Sequence, residues 1–231
     1  MSLVLLMLFG GAAWAQDANS QAIRQLDKAT DVLNEIMKTP DKGIPHDLLD
    51  RAVCVGIVPS ELRFAIGIGG TYGRGILVCR RGGNGSWGAP SMFRLGGANI
   101  GFQIGGRATD VVFIVMNAVG AMKLAGNNVK LGADASATAG PVGRTAEGAT
   151  DAQLHAEILS YSRTRGLFAG VSLAGSFFKQ DVKDNYSLYG KKLSTKDIVI
   201  KGATGVPHAA RPLVAALTRY SPKGGQPFPK S

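Results

Sequence analysis

The residues best suited to chemistry lie in Ser160–Gly175, SYSRTRGLFAGVSLAG, which combines two arginines, three glycines and an alternating apolar run. Side chains alternate across an extended strand, so Tyr161, Arg163 and Arg165 share one face, with the two guanidiniums roughly 7 Å apart. A permanently charged planar fork suits phosphate oxygens. The same arginines could instead be solvated or paired to the chain's few carboxylates. Downstream, Gly170-Val-Ser172-Leu-Ala-Gly175 nearly spells the hydrolase elbow G-x-S-x-G, but alanine stands two places after Ser172. That elbow also belongs on a strand-to-helix turn, whereas this stretch reads as strand. A Ser172 nucleophile is therefore the weakest of the readings.

Other catalytic signatures are missing from the sequence. There is no G-x-x-x-x-G-K-[ST] loop and no H-E-x-x-H, and Gly67–Gly73 lacks dinucleotide-loop spacing. His46, His155 and His208 stand apart, and with two cysteines they offer no ligand set for a metal; no cofactor is implied. What remains is anion binding. Arg74, Arg80, Arg81, Arg94, Arg107, Arg144, Arg163 and Arg165 all lie near glycine-rich turns, whose backbone N–H groups can help form anion-binding concavities. Lys191 and Lys192 add a basic pair after Tyr189-Gly190. The head-group set expected to carry binding is Arg163, Arg165, Arg144, Arg74, Arg80, Arg81, Lys191 and Lys192. Leu167 and Phe168 supply apolar groups to dip into a membrane interface.

Several motifs occur together: YSRTRGLFAG (161–170), LGADASATAGPVGR (131–144), IPHDLLDRAVCVGIVPS (44–60), GIGGTYGRG (67–75), SWGAPSMFRLGGANIGFQIGG (86–106), DVVFIVMN (110–117) and DNYSLYGKKLSTKDIV (184–199). In the order in which they occur along the chain they resemble the SYLF lipid-binding family over nearly all of the chain after the first forty residues. The resemblance implies a non-enzymatic module that binds anionic phospholipids or phosphoinositides at a membrane surface. It also implies a β-barrel with helices on its outside and, by analogy with some eukaryotic relatives, actin or another filament as an alternative partner.

The elements that must position these residues are legible in part. Ser20–Lys38 has apolar residues at three- and four-residue steps (Ile23, Leu26, Ala29, Leu33, Ile36, Met37), which predicts an amphipathic helix capped by Ser20 and stopped before Pro40. Its polar face balances Arg24, Lys28 and Lys38 against Asp27, Asp31 and Glu35. A membrane-surface helix should be basic, so this one is expected to pack on the core. A short helical turn follows Ile44-Pro45. Strands are predicted at Val53–Val58, Arg63–Gly69, Thr71–Arg80, Trp87–Leu95, Asn99–Gly105, Asp110–Asn117, His155–Arg165 and Leu167–Phe178, punctuated by Pro59-Ser60 and Gly69-Gly70. Glycines inside the strands mark bends or close backbone approach. Ala118–Leu124, Thr195–Lys201 and Pro207–Tyr220 read as helical, and Asp184–Leu193 as irregular. The fold class is a β-rich α+β single domain: a glycine-rich barrel core with a few helices packed on its surface.

The 231 residues, 45 % apolar, suffice for one domain with a substantial core. Residues 1–50 carry four Lys/Arg against seven Asp/Glu, whereas 51–231 carry 22 against nine, so the barrel is the cationic part. Such a surface draws polyanions. Nucleic acid is the poorer fit, because stacking aromatics do not interleave the basic residues. Residues 1–15, an apolar run ending in Ala13-Trp14-Ala15, have the form of a signal peptide, and an exported, periplasmic or secreted protein is expected. The domain would then span 16–220, followed by a mobile tail at 221–231 rich in proline and glycine. Cys54 and Cys79 stand either as a disulfide, which export would permit, or as buried free thiols.

Overall fold

The computed structural model describes residues 10–38, 43–66, 68–99, 107–142, 155–164, 167–222 and 224–229, with backbone alone for 10–19, 61–71, 98–99 and 107–108. Helices α1 (Gly10–Met37) and α2 (His46–Arg51) precede a long hairpin, β1 (Cys54–Ile66) and β2 (Ile68–Cys79). Then come β3 (Ser91–Asn99), β4 (Arg107–Val115), α3 (Ala118–Leu124), β5 (Asn128–Lys130) and β6 (Ala137–Ala139). The final part holds β7 (Ile158–Thr164), β8 (Leu167–Gly170), β9 (Phe177–Gln180), α4 (Val182–Tyr189), a π-turn (Lys196–Ile200) and α5 (Arg211–Tyr220). The strands form one sheet in the order β5-β9-β3-β2-β1-β4-β7-β6, with β8 beside β7. All of its pairings are antiparallel except β6 with β7. Rolled into a half-barrel, this sheet and its helices make the expected β-rich α+β domain.

Both faces of the central strands are buried, for opposite reasons. Along β1, Cys54 and Val58 face the barrel interior, while Val55 and Ile57 face the helices. In β4 the same alternation sends Val111, Phe113 and Val115 inward and Val112 and Ile114 outward. The interior is organised by three rings: Phe93 stacks on Phe178 at 4.3 Å between centroids, and Phe113 lies 5.7 Å from Phe93. Glycine makes room for them. A Cβ on Gly56 would sit 2.0 Å from the Phe113 ring, and one on Gly75 would sit 2.3 Å from that of Phe93. Each bulky ring therefore lies over a strand position that carries no side chain, the close approach expected of strand glycines.

The outer face is covered by α1 and α5. Ala22, Leu26, Ala29, Val32, Leu33, Ile36 and Met37 of α1 are buried there, so this helix packs its apolar stripe on the sheet as its balanced polar face predicts. It is already helical at Gly10, the first described residue and ten before Ser20, because the segment between them contains no proline to interrupt it. The expected cleavage point after Ala15 falls within this helix.

Other departures have local causes. The two strands expected around Pro59-Ser60 are one continuous β1. Its register shifts between Val58 and Glu61 against β4, and Ser60 adopts φ 56°. Proline lacks the N–H that a regular ladder needs, and a bulge accommodates it without ending the strand. Gly69-Gly70 likewise lies inside β2, paired to Ala65 and Phe64. The strand expected at Leu167–Phe178 is split into β8 and β9 by a loop in which Leu173 is buried and Gly175 has φ 87°. The segment read as irregular after Asp184 is mostly helical. Asp181 Oδ1 accepts from the Asp184 N–H at 3.2 Å to start α4, and left-handed Gly190 ends it. Most of the strand expected at Asn99–Gly105 lies outside the described residues.

Cys54 and Cys79 face each other across β1 and β2, Cα atoms 3.9 Å apart, and form a disulfide. The described part of the tail expected to be mobile is anchored: Gly225 N–H donates to the Asp50 carbonyl at 3.0 Å, and Phe228 N–H to that of Gly82 at 2.7 Å.

Candidate functional site

The arginines expected to form one head-group site are distributed among three different environments. Tyr161 and Arg163 do share a face of β7, but it is the face that α1 covers. Arg163 stands directly opposite Asp110 on β4, and its Nε and Nη2 donate to Asp110 Oδ2 at 3.0 and 2.6 Å. Its Nη1 pairs with Glu35 of α1. Asp110 Oδ1 in turn accepts from the Ser60 N–H at 2.9 Å, tying the bulge to the same centre. Arg163 is therefore a fastener between helix, bulge and sheet, which corrects its assignment as a head-group ligand. Tyr161 is buried in the outer core cluster to which α1 also contributes, and burial raises its hydroxyl pKa. Phe168 stacks on it at 5.3 Å, so Phe168 belongs largely to the core, whereas neighbouring Leu167 is 79 % exposed. Arg165 and Arg144 lie outside the described residues.

A second environment lies on β2 and β3, where Arg74 and Arg94 are cross-strand neighbours. Arg94 grips Asp181 with Nε at 2.6 Å and Nη2 at 3.1 Å, and Arg74 reaches Asp184 at 3.4 Å. The hydrogen bond to Asp181 raises the Arg94 pKa against the opposing effect of burial. Burial, then the neighbouring Asp181, pushes the Asp184 carboxyl upward. These four groups dock α4 on the sheet, so Arg74 too is committed to structure.

Arg80 and Arg81 part company. Arg80 is 1 % exposed, its guanidinium 4.2 Å from the Trp87 ring centre. It donates to the Ala52 carbonyl at 3.1 Å and to the Ser221 carbonyl at 3.0 Å. Burial lowers its pKa, partly countered by the charge of Asp50. A side chain so enclosed cannot meet a head group, and the expectation for Arg80 is corrected. Arg81, one residue on, is exposed. Lys191 and Lys192 are exposed beyond Gly190.

Ser172 is exposed in the β8–β9 loop, where its Oγ accepts from the Ala174 N–H at 3.2 Å. The loop lacks the strand-to-helix setting of a nucleophile elbow. Among the described residues no three His, Cys, Asp or Glu are grouped to hold a metal ion. No helix there is long and apolar enough to cross a membrane.

A feature missed by sequence reasoning appears on the outer wall beyond the helices. Tyr72 on β2 and Phe177 on β9 both pair with Gly96 of the strand between them, and Phe177 pairs with Lys130 on β5. The result is a row, Tyr72–Gly96–Phe177–Lys130, running across four strands. Tyr72 and Phe177 are 43 % and 44 % exposed, and Lys130 Nζ lies 6.0 Å from the Phe177 ring centre. Lys179 is exposed on the same face of β9. On adjoining α4, Val182 and Tyr186 are exposed one turn apart. The positions span more than a hundred residues of chain, so only the strand order brings them together.

Comparison with known proteins bears on what such a surface serves. The family profile described as "Ysc84: Las17-binding protein actin regulator" matches residues 96–220, more than half the chain. The chain belongs to the Ysc84, or SYLF, family. Protein YSC84 of Saccharomyces cerevisiae is 35 % identical over 199 residues, covering 82 % of this chain and 42 % of the yeast protein. LAS seventeen-binding protein 3, from the same species, is 35 % identical over 193 residues, covering 80 % of this chain and 41 % of its own. The human SH3 domain-containing YSC84-like protein 1 is 32 % identical over 203 residues, with coverages of 85 % and 58 %. The Ysc84-type chain described here thus spans about two fifths to three fifths of the length of these relatives.

Proposed function

We propose that this Ysc84-family chain is a non-catalytic docking module whose partner is a protein of the actin-regulating machinery, presenting an acidic surface. The observation that carries this reading is the Tyr72–Gly96–Phe177–Lys130 row. Exposed aromatic residues rank among the strongest contributors to protein interfaces. Gly96 places no side chain between the two aromatic positions. Lys130 and Lys179 favour a partner of opposite charge. The family description and the name of LAS seventeen-binding protein 3 support a protein partner.

The test is co-sedimentation with actin filaments, alongside a pull-down with purified Las17. The expected result is binding to at least one of them, reduced roughly 30-fold when Tyr72 and Phe177 are both replaced by alanine, as for an interface hot spot. Unchanged binding by the double variant would remove the assignment of this face.

A second reading, peripheral binding to anionic phospholipid, is favoured by Leu167, 79 % exposed at the β7–β8 end, and by the cationic charge of residues 51–231. It predicts salt-sensitive binding to anionic vesicles that Leu167→Asp weakens. Export, which the Ala13-Trp14-Ala15 pattern supports, would bring such a module to an extracytoplasmic membrane face or to partners outside the cell.

A further inference from the structure

The exposed Arg81 borders a cleft of about 520 Å³ on a different part of the molecule from the aromatic row. One wall is the turn Arg81–Gly82 with Gly88 and Ala89; the other is the π-turn and the loop after it, Ile198–Gly205. The floor is apolar: Cys79 of the disulfide, Ala89 and the buried Ile198 and Val199. The rim is cationic and rich in backbone donors. Lys201 stands there, 61 % exposed in its side chain, with its Nζ 2.9 Å from Asp197 Oδ1. The Arg81 guanidinium has no hydrogen-bond or ion-pair partner among the described residues.

The loop is held in shape without using up its donors. Ala203 N–H donates to the Asp197 carbonyl at 2.9 Å, and Lys201 N–H to that of Lys196 at 3.1 Å. The N–H groups of Gly202, Thr204 and Gly205 have no partner among the described residues. Gly82 and Gly202 adopt φ 62° and 63°, which glycine reaches without penalty. Around Gly82, Gly202 and Gly205 nothing lies within 4 Å of where a side-chain carbon would be, so the backbone is open to close approach.

We propose that this cleft binds a phosphate monoester carried on a small organic body. A tetrahedral dianion can accept from the Arg81 fork, the Lys201 ammonium and several loop N–H groups at once, more donors than one planar carboxylate satisfies. The apolar floor accommodates the carbon skeleton, and the volume suits a small ligand. A soluble metabolite and a lipid head group can present the same phosphate ester. The assignment is independent of the docking face.

The experiment is an NMR titration of the whole chain with glycerol 3-phosphate, with glycerol as control, and in a second arm with vesicles of phosphatidylcholine containing or lacking phosphatidic acid. The expected result is saturable shifts of the Gly82, Gly202, Thr204 and Gly205 amides with glycerol 3-phosphate and none with glycerol. Arg81→Gln weakens binding by about tenfold, the loss of one charge-assisted contact, and Phe177→Ala leaves it unchanged. If phosphatidic acid vesicles bind and Arg81→Gln abolishes that binding, the source is lipid. If only the soluble ester binds, it is a free metabolite. Absence of saturable shifts at the cleft in both arms, or binding that Arg81→Gln leaves intact, overturns the proposal.

Discussion

Arg163 and Arg81 look alike in the chain: each adjoins or nearly adjoins glycine in a turn-rich segment, and each is a plausible phosphate ligand. In the fold they differ completely. Arg163 meets carboxylates brought from β4 and from α1, whereas Arg81 meets none among the described residues and faces an open cleft. The difference arises not from the arginine or its neighbours but from what distant elements deliver to it. Where the sheet lies under a helix, carboxylates neutralise its cations; at the cleft, Asp197 engages Lys201 while Arg81 remains available.

The sharpest way to test that contrast is the adjacent pair. Arg80→Met removes the donor to the Ala52 carbonyl and to the Ser221 hydroxyl, leaving the Ser221 carbonyl to the Trp87 indole N–H, and is expected to cost about 3 kcal/mol. Arg81→Met should stay within about 0.5 kcal/mol, as for an exposed residue without partners. Urea unfolding of both variants decides, and equal losses would show that the two side chains share one environment. A smaller effect is expected at the covered cluster. Arg163→Ala and Asp110→Asn should each cost about 2 kcal/mol, allowing for partial exposure of the pair. A double-mutant cycle should be clearly non-additive; strict additivity would mean the pair is not coupled.

The smallest effect concerns the scaffold of the cleft. Hydrogen bonds from Ser194 and Lys201 hold the Asp197 carboxyl at about 2, below its ordinary 3.8. Its folded-state pKa is depressed, so its support is present above about pH 4 and lost as pH falls through about 2. The protection factors of the Lys201 and Ala203 amides, which take out the intrinsic pH dependence of exchange, should fall over that range, and Asp197→Asn should make them independent of pH. Protection factors that stay constant over that range in the native protein would separate the loop's rigidity from Asp197.

Much of this architecture was legible because local and global preferences agree. The apolar stripe of α1 and the run Asp110–Val115 mark elements that any packing of the chain would bury. Gly56 and Gly75 announced close approach, though not that phenyl rings would be what approaches. Legibility failed where one residue's meaning depends on another far away. Pro59-Ser60 resembles punctuation until Asp110, fifty residues on, satisfies the Ser60 N–H. Asp181 is an ordinary N-cap residue type, but nothing local tells that the same carboxylate both caps α4 and binds Arg94, 87 residues away. The partners of Arg163 are 53 and 128 positions away, and Arg81 and Lys201 lie on opposite sides of the cleft although most of the barrel separates them in sequence. Residue types had nominated the arginines, but only strand order and helix placement could assign them.

The way Ser221 closes over Arg80 also imposes an order on biogenesis. During synthesis the guanidinium emerges with the first hairpin, yet Ser221, which supplies both a carbonyl and a hydroxyl to it, follows 141 residues later. Until then the nascent hairpin carries a cation that belongs inside but has only part of its acceptors. That half-finished state favours waiting over premature compaction, since contacts so distant in sequence form late. A ribosome-bound chain stalled before Ser221 should hold the Arg80 region open to proteases, and one stalled after α5 and the tail segment to Phe228 have left the ribosome should not.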